Sequence, residues 1–198
     1  MIKQFLKWFR DLFSWRCLLS YDDLIQLIDD GVIDAPKRAV KGTTIDLTLH
    51  HIVKREAIEA QMQVVRLYKG ESIAMVEIDI NSLDNKEIIQ MPDAIMLGST
   101  NEYFKMPSNL SAEISLKSTL ARNFVGHQLA GWIDPYFHGR ITLEITNDTQ
   151  FKKLAFAAGM PICQVKFFRH RWVKPKNGYA THGQYNGQDK VTEAGVLR

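Results

Sequence analysis

GRITLEITN, residues 139–147, is the stretch that most directly indicates how this chain folds. From position 141 onward, isoleucine or leucine stands at every second position, with threonine or Glu144 between them. This period of two is typical of a β-strand with one buried face and one polar face. The pattern predicts a strand whose polar face carries Glu144. That carboxylate is either plainly solvated or part of a site.

Similar segments recur along the chain and predict a mainly β domain. They are short, rich in β-branched residues and bounded by Gly, Pro, Asn or Asp. The predicted strands lie within residues 43–53, 62–68, 72–80, 94–100, 110–115, 139–147 and 162–168. Short strands at such spacing favour one β-sandwich or closed barrel.

Two short helical segments are predicted among these strands. Residues 18–33 offer Ser20 as a candidate N-cap, then acidic residues in the first turn, and Gly31 as the end. Residues 116–126 are polar and small at their start, and they predict one or two helical turns that end near Gly126.

The composition is that of one folded domain without a general affinity for polyanions. The 198 residues are 45% hydrophobic and 24% charged, which suits a single well-formed core. The formal net charge is +3, and residues 1–16 account for all of it, because they carry four cations against Asp11. Residues 17–198 therefore sum to zero, and no nucleic-acid partner is predicted.

The cysteine count and the hydropathy pattern narrow the class of protein further. Cys17 and Cys163 are the two cysteines, and their separation fits neither a disulfide framework nor a cysteine-rich zinc site. The sequence has no apolar run of about 18 residues, so no membrane-spanning helix is predicted. These features predict a cytoplasmic protein.

Residues 1–16, MIKQFLKWFRDLFSWR, have the pattern of an amphipathic N-terminal arm. Apolar residues recur at helical spacing and leave lysine and arginine on the other face. Charges at Lys7, Arg10 and Asp11 interrupt the apolar run, which argues against a signal peptide. The arm packs against its own protein or a sister subunit, addresses a partner or membrane surface, or is disordered. Its partner is unknown from the sequence.

A cluster suited to phosphate lies in the second helical segment. Lys117 and Arg122 supply two cations, and Ser118 and Thr119 supply two hydroxyls. Charge-assisted donors together with hydroxyl and N-terminal amide donors are what a phosphate chain requires. The alternative is a solvated helix with ordinary surface charges.

Three further stretches resemble one known family. Residues 98–122, GSTNEYFKMPSNLSAEISLKSTLAR, are followed by HQLAGWIDPYFHGRITLEITN at 127–147 and by GMPICQVKFF at 159–168. In this order they resemble the dCTP deaminase branch of the dUTPase superfamily. The similarity covers roughly residues 17–190 and leaves the arm outside.

The resemblance implies a fold, an assembly and a division of the chain. The expected fold is a dUTPase-like β-barrel or jelly-roll subunit with a few short helices, assembled as a homotrimer with active sites between subunits. The expected division is the arm at 1–16, a nucleotide-binding β domain at 17–177, and a flexible C-terminal lid or tail at 178–198.

The resemblance also implies a catalytic set. In this family the glutamate matching Glu144 is the general acid and base: it takes a proton from the water that attacks cytosine C4, then passes protons to the ring and the leaving ammonia. Ser118 and Arg122 match the polar partners of that water and of the pyrimidine. The backbone carbonyl of Ala130 completes the hydrogen bonding of the water.

Nucleotide-binding positions are implied in the same way. Asp134 matches the carboxylate that accepts the deoxyribose 3′-hydroxyl, and Gln164 matches a nucleotide-contacting position. The Gly-rich stretch 178–190 resembles a segment that folds over bound nucleotide. The nucleotide-binding residues implied are Lys117, Ser118, Thr119, Leu120, Ala121, Arg122, Asp134, Thr142, Leu143, Glu144, Gln164, Tyr179, Tyr185 and Gln188. Trp132, Tyr136 and Phe137 are candidates for excluding a 2′-hydroxyl, or else they are plain packing residues.

The expected cofactor chemistry follows from the same comparison of motifs. Zinc-dependent cytosine deaminases need a His or Cys, a Glu and a paired cysteine motif, which this sequence does not supply. Metal-free deamination is therefore expected, with no zinc and with Mg²⁺ bound only as the companion of the triphosphate. The expected ligands are dCTP and dUTP, with dTTP as a candidate inhibitor.

Two departures from the family pattern keep other functions open. Gln184 stands where the family has a lysine before the tyrosine, and the stretch from Arg122 to Asp134 is about one residue shorter, as in plain dUTPases. One alternative is a dUTPase alone, and another is a non-catalytic nucleotide-binding trimer.

Gly131 follows Ala130 where the family members that stop at dUTP tend to have a bulkier residue. The resemblance therefore favours a bifunctional enzyme that continues to dUMP and pyrophosphate. The alternative is that this glycine only allows a tight turn.

Overall fold

The computed structural model describes residues 17–58, 64–128 and 131–195, so the predicted N-terminal arm and Ala130 lie outside the described residues. The helices are α1, Tyr21–Asp29; α2, Ser118–Ala121; and α3, Tyr179–His182. The strands are β1, Ile45–Thr48; β2, Ile52–Glu56; β3, Met75–Asp79; β4, Glu87–Gln90; β5, Ile95–Ser99; β6, Phe104–Lys105; β7, Leu110–Leu116; β8, Val125–His127; β9, Trp132–Ile133; β10, His138–Gly139; β11, Thr142–Asn147; β12, Leu154–Ala157; and β13, Pro161–Arg169.

Two larger sheets and two strand pairs make up the β structure of the described residues. The five-stranded sheet has the order β3-β2-β5-β11-β8, and the four-stranded sheet has the order β1-β13-β7-β9. The pairs are β10-β6 and β12-β4. All of these pairings are antiparallel. The prediction of a mainly β domain is confirmed.

A single apolar core joins the two larger sheets. Buried residues of both sheets belong to one cluster, in which Phe104, Phe156 and Phe167 are fully buried. Each such phenylalanine contributes on the order of 2 to 3 kcal/mol of burial free energy. This core holds the strands that carry the polar site residues.

Helix α1 forms where the sequence predicts it. Ser20 is the N-cap, and the carboxylate of Asp23 accepts a hydrogen bond from the Ser20 backbone N–H at 3.4 Å. Leu24 and Leu27 are buried against the core. The helix is followed by Gly31 in the left-handed region, φ 72°, a conformation that favours glycine.

One predicted strand is wrong, and several short strands were not predicted. Of the predicted strand 62–68, residues 62 and 63 lie outside the described residues, and residues 64–66 pair with no strand. Leu67–Lys69 is a 3₁₀ turn that ends at Gly70 in the left-handed region. A β-branched run that finds no partner edge does not become a strand. The missed strands are β4, β6, β8, β9, β10 and β12, each only two to four residues long and thus too short to give a clear period.

Strand β11 is the element that positions the candidate site. It pairs with β5 on one side and with β8 on the other, and its residues alternate between half-buried and buried. The predicted alternation of 139–147 is therefore confirmed, with Leu143 and Ile145 in the core and Glu144 on the opposite face. None of the described helices is long and apolar enough to cross a membrane.

Candidate active site

A cavity of about 320 Å³ lies beside the polar face of β11. Its volume falls at the lower end of the range of small-molecule sites, roughly 300 to 1,000 Å³. Six of the predicted nucleotide-binding residues line it: Asp134, Thr142, Glu144, Tyr179, Tyr185 and Gln188. These residues are spread over 55 positions of the chain, and the fold brings them to one place.

Glu144 projects into this cavity from β11. Its side chain is 25% exposed, and its Oε2 atom is buried without a hydrogen-bond partner. A carboxylate on a strand paired on both sides is held in one position, and the exposed part of its side chain can accept a proton or a water.

His127 of β8 lies directly behind this carboxylate. Its Nε2 is 3.5 Å from Glu144 Oε2, its side chain is 4% exposed, and neither ring nitrogen has a hydrogen-bond partner. Burial lowers the pKa of His127, although the charge of Glu144 acts in the opposite direction. A histidine with a lowered pKa is neutral at pH 7, so the pair is a neutral imidazole facing a carboxylate rather than an ion pair.

Aromatic side chains form one wall of the cavity. The ring of Phe137 meets that of Tyr179 edge to face at 5.5 Å, and Phe137 is buried in the core. Trp132 is exposed, stacks on Phe168 at 6.0 Å, and donates a hydrogen bond from Nε1 to Asp134 Oδ1 at 3.1 Å. Phe137 therefore has a packing role in the core. The indole of Trp132 orients the carboxylate of Asp134.

Residues 183–195, called the tail below, close one side of the cavity. Gln188 pairs with Arg140 through both its backbone and its side chain: its backbone O accepts from Arg140 N at 2.9 Å, and its Nε2 donates to Arg140 O at 2.5 Å. The Oε1 atom of Gln188 is buried without a hydrogen-bond partner. Burial raises the pKa of Tyr179, whose hydroxyl accepts from Tyr185 N at 3.3 Å.

The cavity lining is acidic. Asp134, Glu144 and Glu193 contribute three carboxylates, and among the described residues that line the cavity there is no lysine or arginine. Such a lining suits the base and the sugar of a nucleotide, which offer hydroxyl and amino donors. It does not by itself neutralise a triphosphate.

A second group of predicted residues lies outside this cavity, on the four-stranded sheet and α2. Lys117 Nζ is 2.6 Å from Asp46 Oδ1, and Asp46 stands opposite Gln164 in the pairing of β1 with β13. Ser118, Thr119, Ala121 and Arg122 follow on α2 and at its end, all exposed, with Leu120 half-buried. We call residues 117–122 with Asp46 and Gln164 the basic cluster.

Two predicted positions contact their surroundings mainly through the backbone. Leu143 is 1% exposed and belongs to the core, so only its main chain can meet a ligand. Gly131 accepts a hydrogen bond from Ile114 N at 2.8 Å, and a Cβ placed on it would lie 2.9 Å from Ile114 O. Close approach to β7 is therefore a structural reason for this glycine.

Sequence reasoning missed two residues of these regions. Asp46 stands in TTIDLTL, residues 43–49, which alternates like 139–147, so the signal that identified Glu144 could have identified Asp46 as well. His127 has no such signal, because a single histidine in a three-residue strand shows no period. In the described parts of the chain, no group of three or more His, Cys, Asp or Glu residues is placed to hold a metal ion.

Comparison with known proteins identifies the family. Residues 18–170 match the family described as dCTP deaminase-like. A "dCTP deaminase, dUMP-forming" of Dictyoglomus thermophilum is 29% identical over 77% of this chain and 80% of its own length. One of the same description from Methanosphaerula palustris is 34% identical over 66% of this chain and 68% of its own length.

A solved structure shares the fold. The 2′-deoxycytidine 5′-triphosphate deaminase from Agrobacterium tumefaciens superposes with a TM-score of 0.61 at 17% identity, over 78% of this chain and 48% of that one. The match thus spans about half the length of the solved chain. The predicted barrel-like fold is confirmed, as is the resemblance to the deaminase branch.

Proposed function

The chain belongs to the dCTP deaminase-like family, and from that premise we propose that it hydrolyses the 4-amino group of dCTP and carries the product on to dUMP and pyrophosphate. The observation that carries the proposal is the setting of Glu144: a carboxylate with one buried, unpartnered oxygen in a cavity of nucleoside size. The names of the relatives support the same reaction.

The proposed chemistry needs one proton shuttle. Glu144 takes a proton from a water as the water oxygen forms a bond to cytosine C4, and the protonated carboxyl passes that proton to N3 of the ring. The second proton of the attacking water reaches the amino group through Glu144, the C4–N4 bond breaks, and ammonia leaves with uracil as the product. A neutral His127 behind Glu144 orients the carboxylate without adding a charge that would make it a weaker base.

The deoxyribose would be held by Asp134 and the aromatic wall. Asp134 can accept a hydrogen bond from the 3′-hydroxyl, and its own carboxylate is oriented by Trp132. The buried Oε1 atom of Gln188 is a further acceptor at the cavity. These positions are the ones that the family resemblance implies.

The phosphates require cations that the acidic cavity lacks. We infer that the basic cluster of one subunit completes the cavity of another, in a homotrimer with sites between subunits. Arg122 and the hydroxyls of Ser118 and Thr119 are exposed on α2, where a second copy can reach them. Mg²⁺ would arrive with the triphosphate as its companion, and dTTP would compete for the same site.

Continuation to dUMP is the second step of the proposal. The relatives are described as dUMP-forming, whereas Gly131 is already explained by its close approach to Ile114. A side chain at position 131 would displace β7, so Gly131→His would disturb folding as well as product formation. The products of the unmodified protein are the sounder test.

The deciding experiment is a time course with dCTP or dUTP and Mg²⁺, in which ammonia, dUTP, dUMP and pyrophosphate are separated and measured. We expect ammonia, dUMP and pyrophosphate to rise together from dCTP. Ammonia with stable dUTP would leave the deaminase and remove the second step. Hydrolysis of dUTP without ammonia from dCTP would establish a dUTPase, and binding with neither product would establish a non-catalytic trimer.

A further inference from the structure

Lys54 lies beside the cavity with its ammonium group enclosed by carboxylates. It stands on β2 opposite Leu97 of β5, and Leu97 lines the cavity. Its Nζ is 2.8 Å from Glu193 Oε1 and 3.9 Å from Glu77 Oε2. The side chain is 15% exposed. Lys54 is thus a largely buried cation beside a lining that carries three carboxylates.

Its two carboxylate partners are held very differently. Glu77 belongs to β3, which pairs with β2 over five residues, and its pKa is lowered chiefly by the hydrogen bond from Lys190. Glu193 belongs to the tail, is 40% exposed, and lies just beyond Val191, which is 2% exposed and anchors the tail. Glu193 can therefore leave Lys54 without breaking a strand.

The tail also forms a hydrogen bond to the hydroxyl of a residue that lines the cavity. Thr192 N donates to Thr142 Oγ1 at 3.3 Å, and Thr192, Glu193 and Ala194 all line the cavity. A long hydrogen bond and a partly exposed ion pair hold this arrangement only weakly. A ligand that makes stronger contacts can displace these residues.

A phosphate is the ligand that would gain most from this displacement. A phosphate in the cavity is repelled by the carboxylates of Asp134, Glu144 and Glu193. When Glu193 moves away, one of these repulsions is removed and the positive charge of Lys54 is exposed. A phosphate oxygen accepts from an ammonium group in the same geometry as the carboxylate oxygen that it replaces. The exchange removes repulsion and keeps the cation paired.

We propose that Lys54 is an anion-binding residue of this cavity, and that Glu193 occupies it until a phosphate group of a nucleoside triphosphate takes its place. The inference rests on the proposed function only in the choice of nucleotide. It gives the cavity a cation from its own chain, in addition to the basic cluster. It also makes Glu193 an internal competitor of the substrate phosphates.

Calorimetric titration tests this exchange, with all proteins carrying Glu144→Gln so that nucleotide is not consumed. The ligands are deoxycytidine, dCTP with Mg²⁺, and inorganic tripolyphosphate. Glu193→Gln should bind dCTP and tripolyphosphate about 3- to 10-fold more tightly, because it keeps the shape and removes the competing charge. Lys54→Met should bind both about 10-fold more weakly. Deoxycytidine affinity should not change in either variant.

The double variant and a matched control make the result specific. Adding Glu193→Gln to Lys54→Met should bring no gain in dCTP affinity, because the cation that the phosphate would take is absent. Glu113→Gln and Lys166→Met remove a comparable ion pair, 3.1 Å long, on the other sheet, and should leave all three affinities unchanged. Lys54→Gln, checked by thermal unfolding, replaces Lys54→Met if the latter does not fold.

Two outcomes would overturn the inference. If Glu193→Gln weakens dCTP and deoxycytidine alike, the ion pair closes a lid and does not compete with phosphate. If it tightens dCTP equally with and without Lys54, the effect is general repulsion and Lys54 is not the acceptor of the phosphate. Because these titrations measure binding, failure of dCTP deamination in the unmodified protein would refute the proposed function and leave this test intact.

Discussion

The cavity and the basic cluster differ in nearly every physical property, although the sequence assigns both to one nucleotide site. The cavity is enclosed, acidic and placed on the five-stranded sheet. The basic cluster is exposed, rich in cations and placed on the four-stranded sheet and α2. Neither region alone suits a nucleoside triphosphate, since one lacks countercharge and the other lacks enclosure. The proposed assembly of one site from more than one copy of the chain would bring these two complementary regions together.

The largest effect is expected when Glu144, the proposed proton acceptor in the cavity, is replaced. Glu144→Gln keeps the shape of the side chain and removes proton transfer, so ammonia release from dCTP should fall by about 10² to 10⁴. The affinity for dCTP should stay within a few-fold of the unmodified protein. Glu113→Gln, on β7, is the matched control and should retain full activity. Unchanged ammonia release in Glu144→Gln would separate the cavity from catalysis.

The next largest effect is expected in the basic cluster. Arg122→Met should weaken dCTP binding by about 10- to 100-fold and deoxycytidine binding by less, because the guanidinium is expected to pair with the phosphates as well as to lie near the pyrimidine. Lys117→Met should cost less, since Lys117 is already paired with Asp46 at 2.6 Å. The loss should be smaller at high salt, where the phosphates are screened. Lys153→Met, an exposed lysine after β11, is the control.

Co-expression of these two variants tests directly whether the cavity of one subunit and the basic cluster of another form one site. Assayed at dCTP concentrations well below the Kd of the arginine variant, Glu144→Gln and Arg122→Met should each be nearly inactive alone. A site between subunits can take its glutamate from one subunit and its arginine from the other. Random mixing in a trimer should restore about a quarter of the sites. If co-expressed subunits regain no activity, both residues act within one chain.

A smaller effect is expected at His127, behind the cavity. His127→Leu removes the polar imidazole whose Nε2 lies 3.5 Å from Glu144 Oε2 and should lower kcat about tenfold with little change in KM, a change of about 1.4 kcal/mol. His127→Gln restores a donor near the position of Nε2 and should recover most of the rate. Equal loss in both variants, with equal loss of thermal stability, would assign His127 to folding alone.

The smallest effect is expected at His50, which belongs to neither region. Its replacement tests the pH dependence of the stability of the fold. Burial, with smaller contributions from His51 and Arg140, lowers the pKa of His50 to about 4. Between pH 6.5 and 4 the unfolded chain binds a proton that the native protein does not, so the free energy of unfolding falls as the pH falls.

His50→Asn keeps an acceptor for the Ile52 backbone N–H and removes this proton uptake. As the pH falls from 6.5 to 4, the free energy of unfolding should decrease by about 1 to 2 kcal/mol less in His50→Asn than in the unmodified protein. This figure allows for solvent screening. Denaturant unfolding at several pH values measures the difference. Parallel pH profiles in the two proteins would mean that His50 does not contribute.

Much of the fold and part of the site could be predicted, because the relevant signals are local. The capping residue and the end of α1 and the alternation of β11 are set by neighbours in the chain, and the sequence predicts them. The wrong strand at residues 64–68 shows the limit of the same signals. Its β propensity is real, but a strand also requires a free sheet edge beside it.

The sequence by itself determined the class of fold, the face of β11 that carries Glu144, and the family to which the chain belongs, because these depend on periodicity and on ordered motifs. The tertiary structure decided the rest: that Asp134, Glu144 and Gln188 share one cavity, that Lys117 is paired with Asp46, and that Glu193 lies on Lys54. The last pair joins residues 139 positions apart. Contacts of that range form only when strands and tail pack on one core, and pairing, burial and pKa depend on those contacts.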